Sequence, residues 1–252
     1  KMFADNHALA KEAAKKRIVL LKNEDNILPL NGKKKIAVIE EFITEGVDPG
    51  VRNVVENAIR VYEKSGYVIE KISLPMIKYA LAIYYVVIPA EISSNLSRYD
   101  GIRYGNRAKG LMGLEEVYAK TRSNGFMPEN KRRIMIGNYV LSSGYFDAYY
   151  QKAQKARTLL IKEFTKALDN YDALIGPVAP TPAFKIGSKS SDPLTMYLED
   201  IMTVPASLAG LPSISVPAGF SEGMPVGLQL IGKQKDDANI LSLARILEET
   251  EK

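Results

Sequence analysis

The chain holds one histidine, His7, and no cysteine. A Ser-His-Asp triad or a multi-histidine metal centre would have to use that one imidazole, and no disulfide, thiolate nucleophile or thiolate metal site can form. His7 lies in an alanine- and lysine-rich stretch without a carboxylate motif, so it is expected to face solvent on a helix. The nearest imitation of a nucleophile loop is Ser142-Ser143-Gly144. Tyr145-Phe146-Asp147 follow it, where a loop presenting backbone N–H groups to an oxyanion needs more glycine. No catalytic residue is assigned on this basis, and neither a metal nor a cofactor is expected.

Charge excludes less. There are 34 basic against 29 acidic side chains, a net +5, which tolerates an anionic partner but is too mild to require one. Lys152, Lys155, Lys162 and Lys166 read as the solvated face of a helix over residues 147–168 whose inner positions are Ala148, Ala153, Leu159, Leu160, Phe164 and Leu168. No direct contact with nucleic acid is expected. The richest apolar run, Tyr79 to Ala90, is too short for a membrane span, and the N-terminus lacks a signal-peptide layout, so a cytoplasmic location is expected.

The elements follow from periodicity. Residues 5–21 read as a helix capped by Asp5, and Asn23 to Gly32 as a loop. Ile36-Ala37-Val38-Ile39 is a buried-strand pattern. Asp48-Pro49 opens a helix with Val51, Val54, Val55, Ala58 and Tyr62 on one face; Gly66 ends it, and Tyr67 to Ile72 is the next strand. Residues 34–72 are thus expected to form a β-α-β unit with a parallel pair. Ile77 to Ala167 reads as mostly helical, broken at 100–101, 110–113, 123–128 and 142–146. Strands return at 173–177, 213–216 and 227–231, and a helix over 236–249 closes the chain. The fold class is α/β, a mixed sheet covered by helices.

Several segments are more specific than pattern. They are Tyr84-Tyr85 with Pro89-Ala90-Glu91 and Ser94 to Gly101; Lys131-Arg132-Arg133 with Ile134 to Gly137; Gly144 to Tyr150; Gly176 to Thr181; Leu208 to Pro212; and Pro225 to Gln229. In this order and spacing residues 33–252 resemble the C-terminal half of the amidase signature family, most closely its glutamine-hydrolysing amidotransferase members. The resemblance implies the C-terminal half of that fold. It also implies a parent activity, the release of ammonia from glutamine for transamidation of a glutamyl-tRNA held on partner subunits. Members cleave amides with a serine activated through a second serine and a lysine, the nucleophile lying in a Gly-Gly-Ser-Ser-Gly-Gly-Ser type loop. No such loop occurs in these 252 residues, so the chain by itself is expected to be inactive. What the resemblance carries over is a substrate wall: Arg133 for the α-carboxylate of glutamine, Asp200 for its α-ammonium and Tyr84 lining the pocket. A planar guanidinium grips a carboxylate bidentately and a carboxylate accepts from an ammonium, so the pair reads a free amino acid at both charged ends.

Residues 1–32 depart from this likeness. His7 to Ala14, Ile18 to Glu24 and Ile27 to Leu30 resemble the segment leading into the second domain of family 3 glycoside hydrolases, so the chain reads as an N-terminal extension, 1–32, joined to an amidase-like domain, 33–252. Two other readings remain, a non-catalytic chimeric α/β scaffold and a piece of a broader-specificity amidase. Glutamine binding, expected to be weak, separates the scaffold from the first reading, and the broader amidase is disfavoured because Arg133 and Asp200 together suit a zwitterionic substrate.

Overall fold

The computed structural model describes residues 34–188 and 193–250. The expected helix over 5–21, the loop after it and His7 lie outside them.

Strand β1 (Lys35–Ile39) is buried along all but its first residue, as a continuous apolar run requires in the middle of a sheet. Helix α1 (Pro49–Lys64) begins where Asp48 accepts from the backbone N–H groups of Gly50 and Val51, at 2.8 and 3.1 Å, with proline at the first helical position. It buries Val51, Val54, Val55, Ala58 and Tyr62, the stripe read from the sequence. Strand β2 (Val68–Ile72) pairs parallel to β1 with Lys35 opposite Val68. The β-α-β unit is therefore present.

The sheet has five strands in the order β2-β1-β3-β5-β4. Strand β3 (Ala173–Pro177) runs parallel to β1, while β5 (Met224–Ile231) is antiparallel to β3 and β4 (Ser213–Ser221) is antiparallel to β5. The sequence pattern shortens this hairpin to 213–216 and 227–231. The strands run on because Glu222 and Gly223 both take positive φ, 51° and 76°, and close a two-residue turn whose twist matches the strands. Pro217 is tolerated because β4 is an edge strand, and a register shift falls between Pro217 and Gly219.

Between β2 and β3 the chain is helical. Helices α2 (Ala80–Leu96), α3 (Leu114–Gly125), α4 (Pro128–Leu141) and α5 (Lys152–Leu168) are followed after β3 by the short α6 (Pro193–Leu198) and α7 (Val204–Ala209), and α8 (Asp237–Thr250) closes the described chain. Two inner positions expected on the 147–168 helix are corrected. Gly144 turns the chain at φ 84°, and residues Phe146–Gln151 form a π-helical turn, which rotates Ala148 to the surface. Leu159 is 54% exposed, because Leu160, about 100° further round the helix, fills the core position.

The apolar stretch before Ala90 is also longer than the sequence pattern suggests. With the 3₁₀ turn Pro75–Tyr79 leading into α2, the helical segment Pro75–Leu96 has 22 residues and an 18-residue window of mean hydropathy 1.3, so by length and composition alone it could cross a membrane. Here it packs on α4, α5 and α7 and buries Ala80, Ile83, Val87 and Ala90.

Candidate functional site

Two helices build the first part of the site because one glycine lets them meet. A Cβ placed on Gly137 of α4 would stand 2.0 Å from the carbonyl oxygen of Pro89 in α2 and 2.5 Å from the Cβ of Ser93. Any other residue would push α4 away. The close approach is fastened where the buried Ser93 hydroxyl hydrogen-bonds Asn138 Oδ1.

One turn before Gly137, the same approach lays Arg133 along two tyrosines of α2. Its Nη1 donates to the Tyr84 hydroxyl at 3.2 Å, and its guanidinium carbon is 5.8 Å from the Tyr84 ring centre and 5.9 Å from that of Tyr85. From within α4, Glu129 accepts from Arg133 Nε at 2.9 Å. Burial works against the charge of Arg133, whose side chain is only 21% exposed, but the bonds to Glu129 and Tyr84 outweigh it, and the net effect is a tighter hold on its proton. The guanidinium is thus held in one orientation by a carboxylate on its Nε edge.

Tyr85 links this cluster to the second part. Its ring meets Tyr84 edge-on at 5.1 Å and lies against Tyr197 of α6 at 4.1 Å. Its hydroxyl is buried without a hydrogen-bond partner among the described residues. Burial raises its pKa; Arg133 opposes this, and Tyr197 and Asp200 add to it. Arg133 and Asp200, 67 positions apart in sequence, therefore act on one phenol with opposite sign.

Asp200 follows α6 in a turn whose backbone is tied down, its carbonyl accepting from the N–H groups of Thr203 and Val204, both at 3.1 Å. Its side chain lines a cleft of about 400 Å³ beyond the carboxyl end of β3, the end at which open α/β sheets receive ligands. The walls come from elements already placed. The N–H of Asp48, at the start of α1, donates to Pro180 at 2.9 Å, and Thr181 Oγ1 donates to Glu199 at 3.0 Å. Gly227 forms part of the wall, where a Cβ would meet Ser215 Oγ at 2.7 Å and Val178 at 2.9 Å. Among the described residues lining the cleft is the Asp200 carboxylate, a group able to accept from an ammonium.

Of the three residues expected to hold substrate, Arg133 and Tyr84 are in contact. Asp200 opens on the cleft, whose walls do not include Arg133. Tyr85 and Tyr197 complete the cluster and escape a reading by sequence, since nothing in an apolar helix distinguishes Tyr85 from its neighbour. Glu129 could have been found, because a glutamate four residues before an arginine on a helix is a pairing signal. Ser142 and Ser143 are exposed, and Ser142 Oγ donates to the Tyr139 carbonyl at 2.7 Å, away from any cleft residue.

The family model described as Amidase matches residues 11–241. A glutamyl-tRNA(Gln) amidotransferase subunit of Geobacillus kaustophilus is 55% identical over 215 residues, covering 85% of this chain and 44% of that protein. The protein of the same name from Myxococcus xanthus is 54% identical over 215 residues, again 85% and 44%. The crystal structure of the corresponding glutamyl-tRNA(Gln) amidotransferase subunit from Thermotoga maritima superposes with a TM-score of 0.65 at 41% identity, covering 86% of this chain and 42% of that one. The chain thus spans less than half the length of the relatives it matches. A crystal structure of an amidase at 24% identity, TM-score 0.66, shares the fold. On the extent of the match and the shared fold, the chain belongs to the amidase family.

Proposed function

We infer that this chain is the amino-acid-binding part of a glutamine-hydrolysing amidotransferase. Arg133 takes the α-carboxylate of glutamine, Asp200 its α-ammonium, and Tyr84 lines the space between. The observation that carries the reading is the preset guanidinium. Glu129 occupies its Nε edge and Tyr84 only one nitrogen of its outer edge, so a carboxylate can be gripped without first ordering the side chain. The Asp200 carboxylate in the cleft supplies the complementary end, and a substrate charged at both ends favours glutamine over the simple amides of a broader amidase.

The residues present bind but do not turn over. No glycine- and serine-rich nucleophile loop occurs in the 252 residues, and a nucleophile acts only with the base that activates it. Ammonia release would then belong to the longer proteins it resembles, together with the other amidotransferase subunits as partners.

Titration with glutamine followed by NMR tests the binding. Charge-assisted hydrogen bonds contribute about 1.5–3 kcal/mol each, and millimolar affinity needs about 4 kcal/mol, so two such contacts give binding near the millimolar limit or weaker. Shifts should centre on residues near Tyr84, Tyr85 and Asp200, and Arg133→Ala should abolish them. No shifts at tens of millimolar, or shifts indifferent to Arg133→Ala, would favour a non-catalytic scaffold.

A further inference from the structure

Arg133 and Asp200 stand on different elements, and one side chain ties those elements together. The turn that carries Asp200 is wound onto α6. The N–H groups of Glu199, Asp200 and Ile201 donate back to the carbonyls of Met196, Tyr197 and Leu198, at 3.2, 3.2 and 3.3 Å. Asp200 therefore goes where α6 goes. Of the described side chains of this short helix, Met196 and Leu198 are exposed, and Tyr197 between them is half-buried. The Tyr197 ring lies against Tyr85 of α2 at 4.1 Å, and Tyr85 in turn has the Arg133 guanidinium at 5.9 Å.

The hydroxyl end of the same ring reaches α4. It accepts from the guanidinium of Arg132, and this bond, followed by the charge of the nearby Glu129 carboxylate, favours the protonated form of Arg132 and raises its pKa. Glu129 closes the link to Arg133: one of its oxygens accepts from Arg132 Nη1 at 2.6 Å, the other from Arg133 Nε at 2.9 Å. An exposed pair between Arg132 and Glu129 would by itself contribute little to stability. Its consequence is geometric, since Arg132 carries the position of Arg133 across to α6. Tyr197 thus meets the Arg133 side of the site by two routes, through Tyr85 and through Arg132 with Glu129, while its own backbone holds the Asp200 turn.

Resting on the reading of Arg133 and Asp200 as the two ends of an amino-acid site, we propose that Tyr197 is a positioning residue that fixes their separation and so restricts the site to α-amino acids. In these the carboxylate and the ammonium share one carbon, whereas a β-amino acid places a further carbon between them. Two charged groups braced against each other match one such separation, and a charge-assisted hydrogen bond is lost when its partner is displaced. Tyr197 needs no contact with the ligand for this, because its ring and its hydroxyl are both engaged by protein.

NMR titration of the full chain with L-glutamine and with L-β-homoglutamine, which differs by that one carbon, tests it. The wild type should bind glutamine about tenfold more tightly than the homologue. Tyr197→Ala should weaken glutamine about tenfold and leave the affinity for the homologue unchanged, so that the two bind alike. Tyr197→Phe keeps the ring contact and loses the bond to Arg132, so it should weaken glutamine by only about threefold. If Tyr197→Ala fails to fold by circular dichroism, Tyr197→Phe carries the same comparison. Without any ligand, Arg132→Ala should shift the backbone amide signals of Asp200 and Thr203. Equal weakening of both ligands in the Tyr197 variants would reduce Tyr197 to a structural role and overturn the proposal. Equal binding of both ligands by the wild type, or Asp200 and Thr203 amides indifferent to Arg132→Ala, would overturn it too. No glutamine binding by the wild type would instead remove the amino-acid site and the selectivity that rests on it, and the Arg132→Ala shifts would then decide whether Tyr197 braces α6 against α4.

Discussion

Tyr85 shows how a single side chain can cost stability and still be kept in place by its neighbours. Among the described residues its hydroxyl is buried without a partner, while its ring is held by Tyr84, Tyr197 and the Arg133 guanidinium. A buried hydroxyl without a hydrogen bond costs about 1–3 kcal/mol, and the ring contacts do not need it. Tyr85→Phe is therefore expected to leave the chain as stable as the wild type or up to about 1 kcal/mol more stable in urea unfolding. A loss above about 1 kcal/mol would mean that the hydroxyl has a donor or acceptor in solution. Arg133 is the opposite case, its burial offset by two hydrogen bonds, so truncating it leaves Glu129 and Tyr84 without their shared partner.

Two devices at the level of elements hold α2 where the site needs it. The first is the crossing at Gly137. Gly137→Ala forces a Cβ onto the Pro89 carbonyl, which cannot move without the helix, so a destabilisation of about 1–3 kcal/mol is expected. Thermal unfolding measures it, and a loss of glutamine-induced shifts should accompany it as Arg133 moves off Tyr84. The second is the turn before α2, whose backbone N–H groups are held by carboxylates: Leu74 by Glu41 at 2.9 Å and Met76 by Glu163 at 3.0 Å. Burial raises the pKa of Glu163; the bond from Met76 opposes this, and Glu41 adds to it. A carboxyl whose folded pKa is raised favours the folded state below its unfolded value and loses that contribution as pH rises through the folded one. Glu163→Gln keeps an acceptor for Met76 and cannot ionise. Its stability relative to wild type should improve as pH rises from about 4 toward neutral, read as the difference in urea midpoints so that the opposite trends of Glu70 and Asp100 cancel. A pH-independent difference would show that Glu163 ionises freely.

At the scale of the molecule, long-range ties between distant segments hold the sheet and the helices around it together. Tyr62 of α1 is fully buried and donates to the Leu243 carbonyl of α8 at 3.1 Å, joining helices 181 residues apart. Asp172, just before β3, accepts from the Lys35 N–H at 2.7 Å, and its own carbonyl accepts from Asn239. Such ties preserve the cleft at the end of β3 without supplying a nucleophile. The purified chain given glutamine or a simple aryl amide should release no ammonia above the buffer control. Turnover that Ser142→Ala or Ser143→Ala abolished would reverse this, and would make the exposed turn after α4 an active site.

The elements that depend on local pattern were legible from the sequence alone. The apolar run of β1, the Asp48-Pro49 cap and apolar stripe of α1, and the parallel return at β2 follow from spacings within about forty residues, and the ordered motifs point to the family because each is itself a short segment. What only the tertiary structure decided lies between segments. The place of Arg133 against Tyr84 rests on a contact 49 residues apart that exists because Gly137 lets two helices touch. The part played by Tyr85 rests on α6 arriving from beyond β3. Ala148 and Leu159 came to the surface because a π-helical turn and a neighbouring leucine altered which side of the helix faces inward. Periodicity records which residues share a face. Which face meets which partner is set by packing between distant segments, and for that the physical cause is the close fit of whole elements rather than the order of their residues.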